Sequence, residues 1–152
     1  MEINRSVANT EKWDRRFLDL AKLVSTWSKD PSTQTGAVIV RPDNTILSVG
    51  FNGFAKNMQD DPQAYANREI KYSRIIHCEV NALIHARSDV HKCILYTWPF
   101  ASCDRCAVQM LQAGISRFVF PSLPEHLVDR WKESLDKTIS YFKEAGVLWS
   151  EL

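Results

Sequence analysis

Ile75-Ile76-His77-Cys78-Glu79-Val80-Asn81-Ala82, read together with Ser102-Cys103-Asp104-Arg105-Cys106, decides how the rest of the chain is arranged. A helix is predicted to open at His77 and to run to about His85 or Arg87, with Val80, Leu83 and Ile84 toward the core. A second is predicted from Cys103 through Ala107, Met110 and Leu111 to Ala113, with Gly114 as its C-terminal cap. One histidine and two cysteines fill three positions of a tetrahedral zinc and leave the fourth for water, the pattern of a catalytic rather than a structural site. Two residues between Cys103 and Cys106 let both sulfurs face one ion within the first helical turn. Partial positive charge at helix N-termini and the metal itself both favour thiolates there. Glu79, two residues after His77, is placed to move protons beside the water and is not needed as a ligand.

Working outward, the strand and helix periods give the fold class. Residues 36–40 (Gly-Ala-Val-Ile-Val) read as a buried strand, 42–45 as a turn and 46–51 as the antiparallel return strand. Cys93 to Thr97, Arg117 to Phe120 and Val147 to Trp149 read as further strands. Trp13, Phe17, Leu20, Ala21, Val24 and Trp27 recur at helical spacing, so a first helix is expected from Asn9 or Thr10, with Thr10 as N-cap, until Asp30-Pro31. A last amphipathic helix is expected over 125–144, with Leu127, Trp131, Leu135, Ile139 and Phe142 inward and Gly146 ending it. Between them, 52–74 is a long polar connection with a short helix at 64–71; a connection of that length is usually functional. Strands alternating with helices predict an α/β fold: three α-β-α layers, a mixed five-stranded sheet with helices on both faces. All 152 residues are expected to form one domain, with the motif-bearing core at about 13–120.

Composition narrows the function classes. A formal net charge of +1 gives no electrostatic case for a nucleic-acid duplex or a membrane surface. No apolar run approaches the roughly 18 residues of a transmembrane helix, and the first residues lack the apolar core of a secretory signal. A cytoplasmic protein is expected. Of the four cysteines, Cys78 and Cys93 read as small packed residues, and a disulfide framework is not expected. His85 and His91 read as surface residues; recruiting one of them, or Cys78 or Cys93, as a fourth ligand would instead make a closed structural zinc site.

These residues resemble the cytidine-deaminase superfamily and, within it, deoxycytidylate (dCMP) deaminases. His77-Cys78-Glu79 stands where the family has His-Ala-Glu, and Ser102-Cys103 to Cys106 where it has Pro-Cys-x-x-Cys. Thr35 to Val40 is a further match, Ser28-Lys29-Asp30-Pro31-Ser32 and Gly50-Phe51-Asn52-Gly53-Phe54 point to the dCMP branch, and the likeness runs over about 13–120. The resemblance implies one catalytic Zn2+ on His77, Cys103 and Cys106, with Glu79 as proton carrier. It implies hydrolysis of dCMP to dUMP and ammonia, a precursor step for thymidylate synthesis. It further implies Asn52 on the sugar, Ser28 and Lys29 on the 5′-phosphate, the backbone at Cys78 on the pyrimidine edge, and the Ser102 carbonyl accepting from the amino group. Arg68 and Lys71 are candidates for phosphate or effector contacts, or are simply solvated charges. Some members are hexamers regulated by dCTP and dTTP, here with Mg2+, so a homo-oligomer (hexamer or dimer) is expected. Phe54, Tyr65 and Trp149 are candidate exposed interface aromatics. The competing readings are a tRNA adenosine deaminase, a free (deoxy)cytidine deaminase, and a catalytically silent zinc-binding assembly subunit.

Overall fold

All five residues of the strand β1 (Gly36–Val40) are buried, and they sort by parity onto two cores. Ala37 and Ile39 face one, Val38 and Val40 the other. Successive side chains of a strand point to opposite faces, so a strand without a polar residue belongs where both faces are covered. In the computed structural model, which describes residues 2–152 and side chains from residue 10 on, β1 lies inside a five-stranded sheet. The other strands are β2 (Ile46–Phe51), then, skipping a short ribbon, β5 (Ile94–Trp98), β6 (Arg117–Phe120) and β7 (Leu148–Glu151). Their order is β2-β1-β5-β6-β7, with β2, β1 and β5 antiparallel in turn and β5, β6 and β7 parallel. The expected mixed sheet is therefore present.

One helix, α1 (Glu2–Ser25), covers the Val38–Val40 face through Phe17, Leu18 and Ala21, which meet Tyr96 and Val119. Three helices cover the other face: α4 (Cys78–Ala86), α5 (Asp104–Ala113) and α6 (Val128–Ala145). Ala82, Ala107, Met110, Leu135 and Phe142 pack there on Leu95, Phe118 and Phe120. Two glycines permit close seating of helix on strand. A Cβ on Gly36 would collide with the Ala21 carbonyl oxygen and lie 2.7 Å from the Ser25 nitrogen. One on Gly50 would collide with the Ala82 nitrogen and lie 2.5 Å from the Cys78 carbonyl oxygen. Gly114 and Gly146 end α5 and α6 in the left-handed conformation, as expected of caps.

Several boundaries differ from expectation for local reasons. No glycine or proline interrupts 2–25, so α1 starts well before Thr10, which is interior to the helix and not its cap. It ends at Ser25, before Asp30-Pro31, because the Ser25 and Thr26 hydroxyls donate to the carbonyls of Lys22 and Leu23 and the next amides bond three residues back. Trp27 thereby leaves the apolar stripe, half exposed, edge-on to Phe51. The connection after Asn52 holds β3 (Gly53–Phe54), α2 (Pro62–Ala66), α3 (Arg68–Arg74) and β4 (Ile75–Ile76), where one helix at 64–71 was expected. Asn67 divides the helices: its extended backbone ends α2, and its side chain caps α3 by accepting from the Ile70 amide. The β3–β4 ribbon is antiparallel and sets Ile76, and so His77 after it, beside Gly53. A 3-10 turn, Glu125–Leu127, precedes α6 where unbroken helix was expected from 125. Phe54 and Tyr65 stack on each other at 3.9 Å with Tyr65 buried, and Trp149 packs toward Phe142, so the three aromatics are packed, not free.

Buried Asp14 fastens α1 to the sheet. It accepts from the Tyr96 hydroxyl at 2.7 Å and from both terminal nitrogens of Arg117 at 2.8 and 2.5 Å. Burial and this carboxylate push the Tyr96 phenol well above its ordinary range.

Candidate active site

His77 is the N-cap of α4 and Cys103 the N-cap of α5, with Cys106 in the first turn of α5. Cys103 takes that position because a sulfur, like an oxygen, accepts from the free amides of a helix start: its Sγ receives the Cys106 N–H at 3.4 Å. The His77 Nδ1 lies 3.5 Å from Cys103 Sγ and 3.2 Å from Cys106 Sγ. All three donor atoms lie within 4.8 Å of one another. Tetrahedral ligands bound at about 2.0–2.3 Å stand roughly 3.6 Å apart, so the donor set fits one zinc ion with little movement.

Electrostatics support the same reading. Hydrogen bonds from Cys106 and His77 hold the Cys103 thiol down at about 4, against desolvation. Cys106 is pushed up, because Cys103 already accepts its proton and because burial and Glu79 disfavour a second thiolate. His77 is raised chiefly by its bond to Cys103. Ligands of this kind bind a metal ion in their deprotonated forms, so binding would release the shared protons. Cys78 is wholly buried, its thiol raised by desolvation, and Cys93 is buried too; His85 and His91 are exposed.

Two of the donors, His77 and Cys103, open onto a solvent-accessible pocket. His77, Cys103 and buried Glu79 line its floor. Phe100 and Trp131, tilted at 5.4 Å between ring centres, form an apolar wall. Asp30, Thr33, Thr35 and Asn52 form a polar one. Asn52 is locked: its Nδ2 donates to Asp30 at 3.2 Å and to the Thr33 carbonyl at 2.9 Å, and its Oδ1 accepts from the Thr35 amide at 2.9 Å. Lys71 is buried and paired with Asp30 at 2.9 Å, so it is not a solvated charge.

The remaining candidates lie elsewhere. Ser28 is buried off the pocket, donating to the Asn52 carbonyl at 2.8 Å and accepting from the Asp30 amide. Lys29 is exposed and paired with Asp60 at 2.9 Å. Arg68 is exposed on α3 and outside the lining. The Ser102 carbonyl accepts from Thr138 at 2.8 Å, and Ser102 itself is buried. Sequence reading missed Phe100, Tyr72 and Arg130 as pocket residues, and took Trp131 only as core. No spacing rule links α6 to His77; only the packing of α5 on α6 brings Arg130 and Trp131 over the site.

Fold and site together define an α/β protein with a three-donor metal centre shared between two helix N-termini and a buried carboxylate beside it. The chain belongs to the cytidine and deoxycytidylate deaminase family, whose zinc-binding region matches residues 11–122. It is 42% identical over 136 residues to an uncharacterized deaminase in the luxG 3′ region of Aliivibrio fischeri, covering 90% of each chain. It is 35% identical to the deoxycytidylate deaminase of Mus musculus, over 90% of this chain and 77% of that one. Its fold matches the dCMP deaminase of cyanophage S-TIM5, solved with dCMP and dUMP, at a TM-score of 0.70 and 19% identity over 91% and 95% of the two chains. The family's cofactor is zinc, and His77, Cys103 and Cys106 fit it. Among the described residues no helix is long and apolar enough to cross a membrane.

Proposed function

We propose that the protein catalyses the hydrolytic deamination of dCMP to dUMP and ammonia, a step that supplies thymidylate synthesis. The observation that carries the reading is Glu79, buried in the first turn of α4, on the same pocket floor as His77 and Cys103. The choice of dCMP is supported by the deoxycytidylate deaminases among the relatives.

Zinc on His77, Cys103 and Cys106 supplies the Lewis acidity that makes water a nucleophile near neutral pH. Glu79 takes a proton from the attacking water and passes it to the ring nitrogen. It then carries the second proton to the amino group, which leaves as ammonia, so one water enters for each ammonia lost. Phe100 and Trp131 exclude water and flank the ring. Asn52, held in one orientation, keeps a lone pair on Oδ1 to accept from a sugar hydroxyl. The backbone at Cys78 and the Ser102 carbonyl, on either side of the donors, are assigned to the pyrimidine edge and the amino group; one lone pair of that carbonyl is left beside its bond to Thr138.

The reading extends to assembly, regulation and location. In the single chain β2 is an edge strand, with Phe51, Trp27 and Ile84 exposed, which suits a homo-oligomer, hexameric or dimeric. dCTP and dTTP with Mg2+ are proposed as effectors. Four free thiols suit a reducing cytoplasm.

The test is deamination of dCMP, CMP and deoxycytidine by zinc-loaded protein, followed by ultraviolet absorbance, with dCTP or dTTP present and absent. dCMP should be converted well ahead of the other two. Glu79→Gln should lower turnover by roughly 10²–10⁴-fold with zinc content and folding retained. Zinc-loaded protein that converts none of the three would sink the reading.

A further inference from the structure

Among the described residues, Lys71 and Arg130 are the lysine and arginine that line the pocket. Lys71 is neutralised by Asp30 at 2.9 Å, both side chains being buried. Arg130, in the first turn of α6, makes no ion pair among the described residues. Its partners are neutral: the Tyr72 hydroxyl, which accepts from its Nη2 at 3.3 Å, and the Trp131 ring, 5.1 Å away. On the dCMP reading, we propose that Arg130 binds the 5′-phosphate of the substrate and sets the preference for nucleotide over nucleoside, with Tyr72 as the residue that positions it.

Charge placement supports this. Glu79 lines the pocket beside the metal donors and has no ion-pair partner among the described residues, whereas Asp30 is paired with Lys71, so a phosphate dianion is disfavoured next to Glu79. The pocket adjoins a second, open cleft, and the two share Thr33 and Arg130. Lys22 and His126 also line that cleft, and among the described residues no aspartate or glutamate does. Asp129, next to Arg130 in sequence, lines a separate cleft with Lys132 and Asp136. A pyrimidine seated at Glu79 therefore places its sugar along the Asn52 wall and its phosphate toward the cationic boundary. A guanidinium with neutral neighbours keeps its full charge and its two-pronged donor geometry for phosphate oxygens. Tyr72 comes from α3 and Arg130 from α6, so their exposed bond ties two elements together beside the pocket and restricts the rotamers Arg130 can adopt. Lys29 is exposed like Arg130, but it is paired with Asp60 and lies outside the pocket lining. Arg130 also lies beyond the family-matched region, which ends at residue 122.

The experiment is calorimetric titration of zinc-loaded protein with dUMP and with deoxyuridine, alongside turnover of dCMP and deoxycytidine. The proteins are wild type, Arg130→Gln, Arg130→Lys, Tyr72→Phe and Lys29→Gln. Arg130→Gln should lower the preference for dUMP over deoxyuridine by roughly 10- to 100-fold, the range for a lost charge-assisted contact, and should raise KM for dCMP more than it lowers kcat. Arg130→Lys should recover part of that preference, and Tyr72→Phe should show a smaller loss, again in KM. Wild-type preference retained in Arg130→Gln overturns the proposal, as does a loss that appears with Lys29→Gln instead. Wild type that binds dUMP no better than deoxyuridine overturns it as well. Wild type that binds dUMP through Arg130 yet leaves dCMP unchanged supports the phosphate site and refutes only the deamination reading.

Discussion

Replacing Gly50 by alanine tests whether the site helix takes its position directly from the sheet. The new Cβ would stand 2.5 Å from the Cys78 carbonyl oxygen and closer still to the Ala82 nitrogen. The first distance falls 0.9 Å short of the 3.4 Å at which ordinary contact begins. Both obstacles are backbone atoms of α4, so no side-chain rotation relieves the overlap. Either α4 moves off β2 by about that amount or β2 bows outward; Ser48, which donates to the Ala82 carbonyl at 2.7 Å, resists the separation. Overpacking of this kind costs about 1–3 kcal/mol. The larger effect should be catalytic, because α4 carries His77 and Glu79 while Cys103 and Cys106 stay on α5. A misplacement of about 1 Å in a reacting constellation costs on the order of 10²-fold in rate. The assay pairs urea unfolding with kcat/KM and with zinc content. The expected result is a folded variant with a modest loss of stability and a disproportionate loss of kcat/KM. Wild-type activity in a folded Gly50→Ala protein would refute the direct seating of α4 on β2.

Three further outcomes follow from named contacts. Lys71→Met leaves Asp30 buried without its cation and should destabilise by about 3–5 kcal/mol, read as a lower urea midpoint; the slack in the Asn52 wall should also raise KM for dCMP. Asp14→Ala strands the half-buried Arg117 and removes the acceptor of Tyr96, so a loss of similar size, about 3–5 kcal/mol, is expected, with kcat/KM little changed because Asp14 lines neither the pocket nor the cleft beside it. Cys106→Ser should bring zinc from one ion per chain toward none by metal analysis after dialysis, and an unchanged zinc content would show that the three donors are not the ligand set.

Much of the site was legible because its elements are local. His77 and Glu79 share one helical turn, as do Cys103 and Cys106, and a helix start is announced by its own neighbours. The strands β1, β2 and β6 were readable for the same reason: their apolar runs are short and bounded by turn residues. The ends of α1 were not, since a hydroxyl bond to a carbonyl competes with proline as a terminator and nothing in the spacing ranks the two. Asn67 was missed because one residue serves two helices, a role that becomes visible only when both neighbours are folded.

By itself the sequence determined the chemistry available to the protein: which residues can hold zinc, which carboxylate stands beside it, and that strands and helices alternate into a layered sheet. These depend on side-chain type and on separations of a few residues. Tertiary structure alone decided which distant groups face the metal centre. It turned Lys71 inward onto Asp30, drew Ser28 and Lys29 out of the pocket, and brought Tyr72, Arg130 and Trp131 over it. Such placements depend on how α3 and α6 pack against elements far away in the chain, and packing of that kind leaves no periodic trace in the residues it brings together.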